Sequence, residues 1–458
     1  MSLMSTEALL GVALANHRSN RLADARKAYR QVLVTQPAQP EALSLLPLTL
    51  LAEDDQERHS AWGKRAIRLS PSTVMNRVNH GHHLKSLGKL AEAQRQFRFA
   101  QTLDPSHPDG LYNEGVLFAE NGYQERAILK YLRALKIKPD YLQAKSNLGF
   151  ALLAMGDFAA GWTLYETRFD YNGFRTWSAY QFRYPQWDGV TDLRGKRIAL
   201  WTEQGLGDAL QFCRFASRLA DNGAVITIVA HAALHRILSS LQGVLSVSSE
   251  PPTHQDFHFP LMSLPRVFGI TTDTIPFASR PYLAANSADV AEWRSEIINT
   301  AAPRVGLVWR AGAISKIPGR NLDIRALADL SGLGITFICL QKEVTAEERA
   351  FLQSSKDIVV LDREQRDFSD TAAIIDSLDL VISVDTSVAH LSGALGKETW
   401  ILLPKVCDWR WMVERVDSPW YSSARLLRQQ NQGDWSTVIT QLRQMLVARY
   451  RSGPQELP

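Results

Sequence analysis

The sequence predicts an α-helical solenoid of stacked repeats followed by an α/β half built from two doubly wound domains. Two observations carry this reading. Pro37, Pro71, Pro105 and Pro139 stand 34 residues apart, and a fixed period of that length marks an array of helical hairpins. Beyond residue 194 the pattern changes to short apolar runs separated by amphipathic stretches, which indicates strands alternating with helices around parallel sheets.

A chain of 458 residues, 45% hydrophobic, has ample material for ordinary cores. It holds no uncharged apolar run long enough to span a membrane, and its start lacks the basic-then-apolar pattern of a secretory signal. A cytoplasmic protein without a membrane span is therefore expected. Met4, behind Met1-Ser2-Leu3, offers a second start after a short leader. Cys213, Cys339 and Cys407 lie far apart, so neither a disulfide nor a zinc site is expected. The first 185 residues hold 23 Lys+Arg against 17 Asp+Glu and the rest 28 against 30. That asymmetry is too mild for a nucleic-acid interface.

Within the array, Gly81, Gly115 and Gly149 share the 34-residue step and mark where the two helices of a hairpin approach most closely. Ala93 and Ala127, Phe97 and Tyr131, and Ala100 and Ala134 repeat as the inward face of the second helix, and each proline follows where that helix must stop. This is the tetratricopeptide pattern. Residues 74–107 and 108–141 resemble its consensus well, and 6–39 resemble it in part through Ala25 and Tyr29. Residues 40–73 are degenerate, with Pro47 where glycine is expected. A fifth unit begins near Leu142 and runs into the segment from Gly161 to Arg168, whose aromatics are expected to cap the array. The array is assigned to residues 6–170. Such solenoids leave a groove that accepts peptide segments; a spacer or dimerisation arm is the alternative.

Residues 171–193 are rich in aromatics and turn formers, among them Trp177, Tyr180, Phe182, Tyr184 and Trp187, which suits a packed linker. A strand is expected at 196–202, a helix at 208–221 and another strand at 225–230. A second alternating set starts at Arg304 and continues through strands near 335–340, 358–361, 379–384 and 399–403. Two Rossmann-like domains, 194–285 and 303–449, would leave a cleft at the carboxyl ends of their strands, where ligands bind in this architecture.

Three segments concentrate chemistry. Glu203-Gln204-Gly205-Leu206-Gly207-Asp208 joins a strand to a helix. Leu210 stands where a dinucleotide fingerprint needs its third glycine, and the second strand ends at Ala230-His231 without an acidic residue, so a nicotinamide enzyme is disfavoured. Gly205 and Gly207 let backbone approach a ligand, and Asp208, with Glu203, is a candidate for handling a proton; a plain helix-start role is the other reading of Asp208. In the second segment a buried strand delivers Asp385, Thr386 and Ser387 to the start of a small-residue helix, where unpaired N–H groups suit a phosphate. His390 lies one turn further on, either facing that site or buried in the core. The third segment, the loop Trp309 through Asn321, brings Arg310, Lys316 and Arg320 together around two glycines, as a diphosphate-facing loop would; Trp309, Lys316 and Arg320 are donor-binding candidates there, with Gln341-Lys342 past the next strand. No Asp-x-Asp occurs, so there is no sequence basis for a metal–carboxylate site.

Residues 187–446 resemble glycosyltransferase domains related to heptosyltransferases (family 9) that occur fused to tetratricopeptide arrays in Gram-negative bacteria. The resemblance rests on Glu203 through Asp208 with Gln211-Phe212, Gly306 through Trp309, Asp379 through Lys397, Leu402-Leu403-Pro404, Asp408-Trp409-Arg410-Trp411 and Ser418-Pro419-Trp420-Tyr421. It implies a GT-B fold and metal-independent transfer from a nucleotide sugar, with no cofactor. Asp208 would be the general base, and Asp385, Thr386, Ser387 and His390 would hold the donor. The fused architecture is also similar to flagellin glycosyltransferases, whose repeats bind the acceptor protein. Transfer to a glycan or lipopolysaccharide, or a scaffold with an inactive transferase domain, are the alternatives.

Overall fold

The computed structural model describes residues 4–49, 56–170, 182–297, 300–301, 303–312 and 317–450. The leader residues, Tyr171 through Tyr180 of the linker, and Lys316 lie outside the described residues. The chain divides into two compact units, 1–151 and 152–458.

The first unit is a succession of paired helices: Thr6–Arg18 with Leu22–Thr35, Val74–Ser86 with Leu90–Leu103, and Asp109–Glu120 with Gln124–Ile137. The expected glycines act by absence of a side chain. A Cβ on Gly81 would fall 2.4 Å from the Phe97 ring, and one on Gly115 would fall 2.6 Å from Tyr131. Ala93, Phe97 and Ala100, like Ala127, Tyr131 and Ala134, are buried against the partner helix. The degenerate repeat departs where its sequence does. Its first helix covers only Pro40–Leu45 and tightens into a 3-10 turn, Leu46–Thr49, because Pro47 has no N–H to continue an α-helical ladder.

The second unit opens with the helix Phe158–Tyr165 and contains two parallel sheets. Strands β1 (Arg197–Trp201), β2 (Val225–Val229), β3 (Val244–Ser248) and β4 (Phe257–Pro260) lie in the order β3-β2-β1-β4. The second sheet has β5 (Arg304–Val308), β6 (Thr336–Cys339), β7 (Ile358–Val359), β8 (Leu380–Val384), β9 (Thr399–Leu403) and β10 (Ala424–Arg428), ordered β10-β9-β8-β5-β6-β7. Counted within that sheet, the order is 3-2-1-4-5-6, that of a Rossmann domain. The described part of the linker packs on the first sheet: Phe182 stacks 4.1 Å from His258, and Gln186 bridges to it. Among the described residues no helix is long and apolar enough to cross a membrane.

Candidate functional site

In each sheet the strand order reverses beside the first strand, and crevices open at such points outside the carboxyl ends. In the first sheet that point lies between β1 and β4. After Trp201 the chain reaches Gly205, whose extended backbone (φ −65°, ψ 164°) precedes the helix Leu206–Phe212. Asp208 reaches back, its Oδ2 accepting the Gly205 N–H at 2.8 Å, so the plain helix-start role is realised. Its Oδ1 accepts from Nη2 of Arg410, a residue 202 positions away. Arg410 also donates from Nε to Gln211 and from Nη1 to Asp408, each at 2.8 Å, and lies over the Trp409 ring.

Glu203 does not join this group. Its carboxylate is buried and held by both arms of Arg168, at 2.7 and 2.9 Å, with a further bond from the Met262 N–H. Arg168 in turn donates to Glu166 and Ser263. The expectation of a proton-handling role is corrected: Glu203 is 4% exposed, takes three donors, two of them from Arg168, and lies away from the Asp208–Arg410 pair, so it serves as an anchor between the segment after Phe158–Tyr165 and the end of β1.

In the second sheet the reversal falls between β5 and β8, where both remaining segments emerge. β8 ends at Val384; Asp385 turns the chain and Thr386 starts the helix Ser387–Ala394 from an extended conformation. The Thr386 hydroxyl is engaged with Ser383 Oγ at 2.9 Å rather than capping the helix. The first N–H groups of that helix therefore receive no cap from it. Asp385 is buried, and Arg320 crosses from the β5 loop to it, donating to its carbonyl at 2.6 Å and pairing with Oδ2 at 3.2 Å. Trp309 is a second correction. Its ring is 1% exposed among Val305, Leu307 and the β6 core, and its Nε1 donates to Glu348. It therefore supports the loop from beneath. Arg310 is likewise committed to Glu348, whose carboxyl it holds down at about 2 against the opposing effect of burial. Gln341 accepts the Arg310 N–H at 3.0 Å and orders the loop, and Lys342 is exposed.

The segments at the two reversals converge. A Cβ placed on Gly207 would lie 2.9 Å from His390 Cδ2 and 3.4 Å from the Ser387 Cα, so the starts of the helices Leu206–Phe212 and Ser387–Ala394 meet there with no side chain between them. His390 stacks on Trp411 at 5.1 Å, and its Nδ1 is 3.0 Å from the Tyr421 hydroxyl. Burial pushes the carboxyls of Asp208 and Asp385 above their ordinary range, opposed chiefly by Arg410 and Arg320 respectively. Burial, with the fields of Arg410, Arg320 and Arg214, holds the His390 imidazole well below its ordinary value, hence neutral. Gly205, Gly207, Asp208, Arg320, Asp385, Thr386, Ser387 and His390 are thus gathered where the two helix starts meet. Arg410, Asp408 and Tyr421 belong there too. The Asp-Trp-Arg-Trp and Trp-Tyr motifs signalled them, but no spacing in the sequence tied them to Asp208 or His390.

Residues 78–141 match the tetratricopeptide repeat family model. Over 412 residues the chain is 24% identical to Protein FlbA of Caulobacter vibrioides, covering 82% of this chain and 67% of that protein. It is 29% identical over 154 residues to the probable UDP-N-acetylglucosamine–peptide N-acetylglucosaminyltransferase SPINDLY of Hordeum vulgare, spanning 32% of this chain and 16% of that one. Among solved structures, a thermophilic TPR protein of Thermus thermophilus is 19% identical with a TM-score of 0.34, covering 37% of this chain and 92% of that one. The first unit therefore carries an array of tetratricopeptide repeats, and an α/β unit with two Rossmann-like parallel sheets follows it.

Proposed function

We propose that this chain is a metal-independent glycosyltransferase of GT-B arrangement, moving a sugar from a nucleotide-sugar donor to a hydroxyl of a protein held by the repeat array. The observation that carries the reading is the meeting of two helix starts at Gly207, one bearing Asp208 and the other presenting N–H groups that its N-cap side chain leaves uncapped. An anion at such a start gains typically about 0.3–1 kcal/mol from the dipole, besides its hydrogen bonds. Similarity to SPINDLY, named for sugar transfer to peptides, supports the reaction class, and similarity to FlbA extends over most of the chain. Flagellin is the acceptor suggested by resemblance to repeat-fused flagellin glycosyltransferases.

In this reading the acceptor oxygen attacks the anomeric carbon and gives its proton to Asp208. The bond from that carbon to the phosphate oxygen breaks, and its electron pair leaves with the nucleotide diphosphate. Ser387 and the helix N–H groups receive the phosphates, and Arg320, with Lys316 and Lys342, supplies charge. Calorimetry with UDP and GDP, then turnover of nucleotide sugars, tests this. Asp208→Asn should bind the diphosphate as the parent does while transfer falls about a hundredfold. A parent that binds neither diphosphate would leave the scaffold reading in its place.

A further inference from the structure

We propose that His390 is a neutral hydrogen-bond donor whose proton is fixed on Nε2 by the Tyr421 hydroxyl, and that this N–H contacts the diphosphate of a nucleotide-sugar donor. The ligand rests on the glycosyltransferase reading; the placement of the proton does not.

The argument follows the protons. Tyr421 is buried, and its hydroxyl meets His390 Nδ1 at 3.0 Å. Beneath it lies Arg214, fully buried, with its guanidinium 4.8 Å from the Tyr421 ring and 4.4 Å from that of Tyr282. Arg214 donates to the Tyr282 oxygen at 2.9 Å, and Tyr282 spends its own proton on the Leu210 carbonyl at 2.9 Å. Tyr282 also faces the Tyr421 hydroxyl, but its oxygen already accepts from Arg214, so His390 Nδ1, which no other described donor reaches, takes the Tyr421 proton. Were Nδ1 itself protonated, the buried hydroxyl proton would have to share the Tyr282 oxygen with Arg214, which disfavours that tautomer by roughly tenfold or more.

A charged ring would place a proton on Nδ1 as well, and would do so facing Arg410, Arg320 and Arg214. The carboxylates nearest the crevice, Asp385 and Asp208, are already paired with Arg320 and Arg410. The ring is therefore neutral with its proton on Nε2. That nitrogen makes no hydrogen bond to a described residue although His390 is only 5% exposed. Gly207, having no side chain, leaves the Cδ2–Nε2 edge uncovered beside the first turn of Ser387–Ala394. A neutral imidazole held as a donor by its surroundings stabilises developing negative charge without giving up its proton. Tyr421 is then a positioning residue acting through His390.

The full chain labelled with 15N-histidine, its His390 signals assigned by their loss in His390→Asn, decides the matter by long-range proton–nitrogen correlation. A protonated Nε2 with a bare Nδ1 from about pH 8 to 6 is expected; the opposite tautomer, or an imidazolium, overturns the proposal. Tyr421→Phe keeps the ring and should mix the tautomers; an unchanged spectrum would remove Tyr421 from its positioning role. On adding UDP the Nε2–H proton should shift, and Tyr421→Phe should weaken UDP about three- to tenfold, with no further loss in a His390→Ala background. UDP bound without that shift overturns the phosphate contact. If the parent binds neither UDP nor GDP, the glycosyltransferase reading and the phosphate contact both fall, and the parent spectrum still decides the tautomer.

Discussion

Replacing Gly207 by alanine adds one methyl group where the two helix starts meet, and the structure sets its cost. The new Cβ would lie 2.9 Å from His390 Cδ2 and 3.4 Å from the Ser387 Cα. Ordinary contact needs about half an ångström more than the first of these distances allows. His390 cannot yield freely, being stacked on Trp411 and tied to Tyr421, so the start of Ser387–Ala394 must give way. Overpacking of this kind costs about 1–3 kcal/mol, while alanine at a helical position returns up to about 1 kcal/mol. A net loss of about 1 kcal/mol in urea unfolding is expected. The functional effect should be larger, because the methyl also covers the Nε2 edge and the first turn of the helix. UDP affinity by calorimetry should fall tenfold or more, about 1.4 kcal/mol. Gly205→Ala is the control: its Cβ meets only Asp208 Oδ2, at 3.3 Å, and should change affinity about twofold at most. Parent-like stability and UDP affinity in Gly207→Ala would refute the convergence of the helix starts as the binding place.

Glu203→Gln should destabilise the second unit by about 3 kcal/mol, the usual cost of leaving a buried guanidinium short of its carboxylate, yet change turnover per folded molecule little. A large loss of turnover in a protein of parental stability would restore Glu203 as a participant in the reaction. In the first unit, burial holds His80 and His82 down at about 4. The folded state thus keeps them neutral while the unfolded chain protonates them near pH 6.5. Their contribution is present above about pH 6.5 and is lost as pH falls towards 4, up to about 3 kcal/mol for each group. Urea unfolding of the parent across that window should show the slope, and a His80→Gln, His82→Gln variant should flatten it; an equal slope would show that other groups carry the acid sensitivity.

The repeats were legible because stacking enforces one residue type at one spacing, as Gly81 against Phe97 and Gly115 against Tyr131 show. Strands buried on both faces, such as β8 and β9, were legible as continuous apolar runs. The strands β3, β4 and β10 were not read. β3 is a half-exposed serine-bearing stretch, β4 ends in Pro260, and β10 carries Arg425 and Arg428. Trp309 was misplaced although a signal existed: Val305, Leu307 and Trp309 alternate, and all three belong to one core cluster, so the ring continues the inward face of β5. The partner of Asp208 had no local signal at all. Arg410 reaches it across 202 residues, and only the meeting of two domains places them together.

The charges of the crevice explain why so many of its groups are arginine. Asp208, Asp385 and Asp408 would by themselves repel an anion from the very place where the helix starts attract one. Arg410 answers Asp208 and Asp408 together, and Arg320 answers Asp385. A lysine offers a point charge, whereas the planar guanidinium of Arg410 meets two carboxylates and the Gln211 amide at once. With the carboxylates balanced in this way, and Arg214 lying beneath the Tyr421 ring, the proposed contacts of the helix start itself are neutral donors, namely the backbone N–H groups after Thr386, the Ser387 hydroxyl and the His390 Nε2–H, and the charge comes from the loop after β5. Neutral donors fixed in place discriminate by geometry, since each must point at an oxygen to contribute. On the proposed reading that is the property a site needs to hold a diphosphate in line with an attacking hydroxyl, and it would follow from the pairing of Asp208 with Arg410 as much as from the helix starts themselves.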